Sequence, residues 1–253
     1  MTTITQDRAD PWDPRQDRKI YLVWIGLNWI GMIAGFGYDF SRYLAQQPPP
    51  PLLIHVHAVV FGLWLFVQTA QIVLITRGDF RMHRQLAVYA LGLAAVMIPL
   101  GLAAALTSKF RHLGMAGTEP QFLAVNLLDI IAFGLFTLAG YLLRRDPASH
   151  KRMMMLAMVA ITDPGFARFS DAFMHDPGPG HLWIQFLYNF WGNALLIGLM
   201  TGWDLWRRRA LNPAFAVGAT LLLGSELFVM AIYYDATWKQ IAISIIKAWG
   251  YGG

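Results

Sequence analysis

The sequence predicts an all-α polytopic integral membrane protein, a seven-transmembrane-helix bundle followed by a C-terminal interfacial amphipathic helix. Three observations predict it. Hydrophobic residues make up 56% of the 253 and charged ones only 14%, where soluble domains average roughly 25% charged. Apolar stretches of spanning length, which takes ~20 residues, recur at 20–40, 52–75, 85–107, 121–143, 153–173, 182–205 and 213–234. Lys and Arg gather in alternate connections between those stretches. The composition excludes a disordered chain, and the net charge of +5 orients spans rather than forming a nucleic-acid groove. With no cysteine, disulfides, thiolate metal sites and a Cys nucleophile are all excluded.

Residues 1–19 carry Asp7, Arg8, Asp10, Asp13, Arg15, Asp17, Arg18 and Lys19 and lack an apolar run ending in a small-residue cleavage site. They read as a polar cytoplasmic tail, not a signal peptide. Residues 20–234 form the seven-helix domain. Its fifth span is interrupted by Thr162-Asp163-Pro164-Gly165, where the missing proline donor predicts a kink or an unwound turn that projects Asp163 inward. Arg168 and Asp171 would then lie nearer the mouth and hold an anionic headgroup. Residues 235–253 form the last element, with Trp238, Ile241, Ala242, Ile245, Ile246 and Trp249 on one helical face. That pattern suits a helix lying flat at the outer interface, or one that docks a larger membrane complex through 238–249.

Orientation follows from charge. Fourteen of the twenty Lys and Arg sit in the N-terminal tail and in the second, fourth and sixth connections. Cytoplasmic loops retain positive charge, so the N-terminus is cytoplasmic and the C-terminus periplasmic, which requires an odd number of spans. A weak echo relates Phe61-Gly62-Leu63 through His83-Arg84 to Phe133-Gly134-Leu135 through His150-Lys151-Arg152. Each unit is an outside-to-inside helix, a basic turn and a returning helix.

Ionisable groups inside spans are costly and require water, partners or a ligand. Counted along the helices at ~1.5 Å per residue, His57, Asp129, Asp163, Asn189 and Glu226 reach one layer in the outer leaflet, with Asp39 at its edge. Helical phase puts His57, Trp64, Gln68 and Gln71 on one stripe of span 2 and His55 on the opposite face. On span 6, Gln185, Asn189 and Asn193 are spaced by four. Interhelical hydrogen bonding alone does not need three carboxylates at one depth. These residues predict a cavity that binds a small lipid-soluble or amphiphilic molecule. Its catalytic groups would be His57, Asp129, Asp163 and Glu226, and Gln68, Gln71, Arg168, Asn189 and Asn193 would contact the ligand. Desolvated carboxyl groups suit general acid chemistry or a proton relay; His57, Asp129 and Glu226 would alternatively ligate a divalent metal for assisted hydrolysis. At the other end, His83 and His150 both begin returning helices and are followed by basic residues. Two such histidines would hold a b-type haem, with arginines meeting its propionates.

The ordered fragments His57…Trp64-Leu65-Phe66…Gln71…Arg77-Gly78-Asp79…His83-Arg84-Gln85-Leu86, Arg144-Arg145…His150-Lys151-Arg152-Met153, Arg168 and Asp204-Leu205…Asn212-Pro213 resemble a widespread, uncharacterised bacterial family of seven-span membrane proteins. The resemblance covers roughly 52–220 and implies the bacterial inner membrane without assigning an activity. The chain departs from that pattern at Asn212, where histidine is usual, and at Ala87, where glycine is usual. More distantly, the sequence is similar to the two-haem transmembrane cytochromes b of the ascorbate type. That similarity implies His83 and His150 as one ligand pair and leaves the second pair incomplete, because span 4 offers only Asn126 and Asp129.

Overall fold

The chain reverses where turn chemistry stops one helix and starts the next. Gly78 ends the second helix in the left-handed region at φ 80°, which glycine adopts without a Cβ penalty. Asp79 then caps the third helix by accepting from the Met82 N–H at 3.0 Å. Asp146 does the same for the fifth, accepting from Ala148 N at 3.0 Å and the Ser149 hydroxyl at 2.5 Å. The Ser149 hydroxyl and the two backbone donors hold the Asp146 carboxyl below the usual carboxylate range. Asn212 caps the seventh by accepting from Phe215 N at 3.1 Å, ahead of Pro213, so this asparagine has a structural role.

The computed structural model describes residues 17–115, 117–170, 172–175, 178 and 180–251; the predicted tail before Asp17, and Asp171, lie outside the described residues. Eight α-helices follow one another: α1 Arg18–Leu44, α2 Leu52–Arg77, α3 Phe80–His112, α4 Leu123–Leu142, α5 Pro147–Ser170, α6 Leu182–Arg208, α7 Pro213–Tyr233 and α8 Ala236–Tyr251. A 3₁₀ turn, Pro120–Phe122, leads into α4, and there is no strand among the described residues. Five helices, α1, α2, α3, α4 with its leading turn, and α7, are long and apolar enough to cross a membrane.

The two remaining helices of the expected seven, α5 and α6, have the length, 24 and 27 residues, but carry more polar and charged side chains. The reason lies in packing. α5 contacts α1, α4, α6 and α7 and is buried along most of its length. A helix sheathed by protein need not be apolar all round, because its ionisable groups face the bundle interior. The α1 crossing is especially close: a Cβ on Gly35 would overlap the Gly165 carbonyl, and the Phe166 ring occupies the space a Cβ on Gly31 or Gly192 would take. Small residues allow such backbone approach between membrane helices.

This contact bears on the expected break at Pro164. α5 stays helical from Pro147 to Ser170 with Pro164 inside it, so the chain does not unwind there, and the Pro164 carbonyl accepts from Arg168 Nη1 at 2.8 Å. The irregular backbone is instead in α6, at Phe190 with φ −121° and ψ 19°.

The apolar face of α8 is partly covered by the chain itself. Trp238, Ala242 and Ile246 pack on Leu106 of α3 and Leu123 of α4. Trp238 Nε1 donates to the Gln121 carbonyl at 2.9 Å, and Trp249 Nε1 to Thr107 Oγ1 at 3.1 Å. Much of its apolar face is covered by the chain itself, while Ile241, Ile245 and Trp249 stay exposed. Periodicity identifies an apolar face but not what covers it.

At the α1 N-terminus an ionic network joins α1, α5 and α6. Arg152 clasps Asp204 with Nε at 2.9 Å and with Nη2, and donates Nη1 to the Ala148 carbonyl at 2.9 Å. Arg208 Nη2 reaches Asp17 at 2.6 Å and its Nη1 reaches Asp204 at 3.0 Å. Lys151 pairs with Asp17, and Trp203 Nε1 donates to it at 2.8 Å. Asp17, Arg152 and Asp204 are fully buried. Burial opposes ionisation of Asp17, yet Lys151, Trp203 and Arg208 hold its carboxyl below the usual range. Removing one member strands the others, which costs roughly 3–5 kcal/mol in a buried network. Asp17→Ala is therefore expected to lower the melting temperature of the purified protein sharply. Because the folded-state value is the lower one, this carboxylate stabilises fully above about pH 4 and loses its contribution as pH falls further; melting curves of wild type and Asp17→Ala should converge in that acid range.

Candidate functional site: a buried group of carboxyls

At the opposite end, α4, α5 and α7 bring Asp129, Asp163 and Glu226 together. The three are 8%, 2% and 1% exposed. Asp163 lies within electrostatic reach of both Asp129 and Glu226, and Asp129 within reach of Glu226. From α6, Asn193 Nδ2 donates to Glu226 Oε1 at 2.7 Å. The remaining oxygens are not so served: Asp163 Oδ1, Glu226 Oε2 and Asn193 Oδ1 are buried and have no hydrogen-bond partner among the described residues. Buried polar atoms are ordinarily paired, so three orphaned oxygens in one cluster mark a place where stability is not maximised.

Arg168, five residues beyond Asp163, closes this end. It donates Nη1 to the Pro164 carbonyl, pairs through Nε with Asp39 Oδ2 at 3.3 Å, and rests on the Phe36 ring at 4.6 Å. Asp163 and His57 both lie within its electrostatic reach. It does not form an ion pair with Asp163; Asp39 holds it instead, together with Arg42 at 2.5 Å. The carboxyl group of Asp163 thus has a cation nearby but no ion pair with it.

The other predicted residues divide. His57 is half-buried against Phe61, ring centroids 4.1 Å apart, with Nδ1 buried and without a partner; the charged group it faces is Arg168. His55 turns away and meets the Tyr43 hydroxyl at 2.9 Å, as helical phase requires. Gln68 is buried on the same α2 face, but eleven residues along the helix from His57, or ~16 Å. Gln71 is ~21 Å away by the same measure and belongs to a different group. Its amide, oriented to satisfy both atoms, donates to His83 Nδ1 at 2.5 Å and accepts from Ala87 N at 3.1 Å. A shared stripe gives direction without depth, which is why Gln71 does not join the carboxyls. Asn189 donates to the Gln185 carbonyl at 2.9 Å and to Met230 Sδ at 3.4 Å, a packing role rather than an open contact. A divalent site from His57, Asp129 and Glu226 finds no geometric support: no group of three or more His, Asp or Glu among the described residues is placed to hold a metal.

His83 and His150 do meet. Their ring centroids are 6.3 Å apart with planes at 85°. His150 Nδ1 donates to the Gly140 carbonyl at 2.7 Å, which leaves Nε2 with its lone pair. On His83 it is again Nδ1 that is engaged, but it accepts from the Gln71 amide, which places the proton of the neutral ring on Nε2; for His83 to hold a metal through Nε2, the Gln71 amide would have to turn and accept from Nδ1–H instead.

No protein-family model matches the chain, and no curated protein and no solved structure matches it. The site is therefore read from its own chemistry. Asn193→Ala removes the only donor bonded to Glu226 among the described residues, and is expected to cost about 1–3 kcal/mol in a thermal melt. Pairing it with Glu226→Leu, which removes the stranded acid as well, should recover most of that loss.

Proposed function

We propose that the chain is a seven-span protein of a bacterial inner membrane, N-terminus cytoplasmic and C-terminus periplasmic. In this reading α5 and α6 cross with the five more apolar helices, and α8 rests at the outer interface. The outer half holds an acid–base site that takes a small lipid-soluble or amphiphilic molecule. The observation that carries this reading is that Asp129, Asp163 and Glu226, from three helices, are buried within electrostatic reach of one another, with Asp163 Oδ1 and Glu226 Oε2 lacking a partner among the described residues. Purely structural polar groups would be expected to satisfy one another. Asp163 and Glu226 exchange protons with the ligand, His57 accepts one at Nδ1, and Arg168 orients a charged or polar head at the mouth.

Two measurements test it. Without native cysteines, single replacements report topology cleanly: Arg145→Cys should be labelled only from the cytoplasm and Lys247→Cys only from the periplasm. Functional clusters are held at a cost in stability, so Asp129→Asn and Glu226→Gln should melt at equal or higher temperature than wild type while abolishing the cellular phenotype of the gene. Retention of every phenotype in these variants and in Asp163→Asn would make the cluster structural.

A second reading is favoured by the His83–His150 pair, an electron carrier with one b-type haem. Those two histidines would hold the iron, Arg84 and Arg144 would meet the propionates, and the group would supply one-electron transfer. Gln71, its amide turned to accept, and the Gly140 carbonyl would fix the ring orientations, the usual task of outer partners of ligating histidines. Purified protein should then show a Soret band that His83→Ala or His150→Ala abolishes; a colourless wild-type protein from haem-replete cells would sink this reading.

A further inference from the structure

Every buried atom left over around the three carboxyls is an acceptor. Asp163 Oδ1, Glu226 Oε2 and Asn193 Oδ1 are without a partner among the described residues, where buried polar atoms are ordinarily paired. Asn193 is the independent member of this set, since it is no acid, comes from a fourth helix and is 0% exposed. Its amide cannot turn over to engage the free oxygen, because Nδ2 is committed to Glu226 Oε1 at 2.7 Å. Asn193 Oδ1 and Glu226 Oε2 hang from the two groups that this bond joins, so the free oxygens are neighbours. Their complement is a hydrogen-bond donor.

The chain's own cations do not supply it. None of the three acids forms an ion pair among the described residues, and Arg168, the cation within electrostatic reach of Asp163, is held by Asp39 and the Pro164 carbonyl. Apolar layers lie on either side of the acids. One turn along α4, α6 and α7, Val125, Phe190 and Met230 are buried in one cluster; one turn the other way, Phe133, Leu196 and Leu222 belong to the main core. A strongly hydrated ion would lose its water there, whereas an organic body is favoured. Nor is any group of three or more His, Asp or Glu among the described residues placed to hold a metal.

We infer that the site takes a protonated primary amine with a small apolar body, the ammonium donating to Asp163, Glu226 and Asn193 and the body packing on the layer of Phe190 and Met230. The inference rests on the acid–base reading of the same site and names its ligand class. An ammonium brings three N–H donors and a full positive charge, which match three acceptors set among acids. Such charge-assisted bonds are about twice as strong as neutral ones. A quaternary ammonium has the charge without the donors, and an alcohol has one donor without the charge, so experiment can separate the three chemistries.

The test uses the full chain in phosphatidylcholine nanodiscs at neutral pH and measures binding of phenethylamine, its trimethylammonium derivative and phenethyl alcohol by calorimetry, with empty nanodiscs to subtract partition into lipid. Wild type should bind the amine at least about tenfold more tightly than either analogue, the worth of one charge-assisted hydrogen bond. Glu226→Gln should weaken the amine by about tenfold and leave the alcohol nearly unchanged. Asp129→Asn, which removes a charge without touching the bond between Asn193 and Glu226, should weaken the amine in the same sense and serves if the first variant folds poorly. Failure of wild type to bind the amine would overturn the proposal, as would equal affinity for the amine and its trimethyl derivative, or an amine affinity that neither substitution moves. Tighter binding of the alcohol than of the amine, weakened by both substitutions, would overturn the amine and leave the acid–base site standing. Amine binding as expected, beside intact phenotypes in Asp129→Asn, Asp163→Asn and Glu226→Gln cells, would refute the acid–base function alone.

Discussion

Where α1 crosses α5 at Gly35 and Gly165, no side chain separates the two backbones. That contact places the Phe166 ring between Gly31 and Gly192 and so ties α6 into the same junction. α5 stays helical through Pro164 beside it, and on either side of the crossing it sets where Asp163 and Arg168 point: one into the bundle, the other to the edge beside Asp39 and Phe36. Thr162 adds a buried bond to Asn28 on α1 at 2.8 Å. Few positions would tolerate even a methyl group here without moving a helix.

The two ends of the bundle treat buried charge in opposite ways. Around Asp17, Arg152, Asp204 and Arg208, each acid finds a base and the bases find carbonyl or carboxylate oxygens. Around Asp129, Asp163 and Glu226, acids face acids and one amide serves a single oxygen. The paired end fastens three helices to one another, whereas the other end leaves Asp163 Oδ1 and Glu226 Oε2 without a hydrogen-bond partner among the described residues, a cost in stability that buried polar atoms ordinarily avoid.

Much of this was legible in the sequence because membrane helices run at a known rise across a known thickness. Counting from the ends of the apolar runs brought Asp129, Asp163 and Glu226 to one layer, and phase turned His57 inward and His55 outward. The same phase argument misassigned Gln71, since a stripe continues past the depth of the site. The ionic network escaped because Arg152, Arg208 and Asp204 read as ordinary charges at span ends. Their one signal was an opposite-sign pair a turn inside two helices at matching depth. The close crossing of α5 by α1 was not legible at all: it brings Gly35 against Gly165, more than a hundred residues apart in the chain, and no local pattern contains both.

The position of Asp17 has a bearing on assembly in time. As the residue before α1 it offers no side-chain cap to its own helix, and its carboxylate is committed to Lys151, Trp203 and Arg208, which lie 134, 186 and 191 residues further along. During synthesis α1 leaves the ribosome before α5 and α6, yet its Asp17 end finds these partners only after α6 has emerged. Until then α1 has the contacts it makes with α2, such as Trp29 Nε1 on Thr69 Oγ1 at 2.9 Å, but not this network. The last of these partners to be made, on α6, completes the network, so a chain halted after α5 would hold the α1–α5 crossing at Gly35 and Gly165 but leave the Asp17 carboxylate with Lys151 alone of the three.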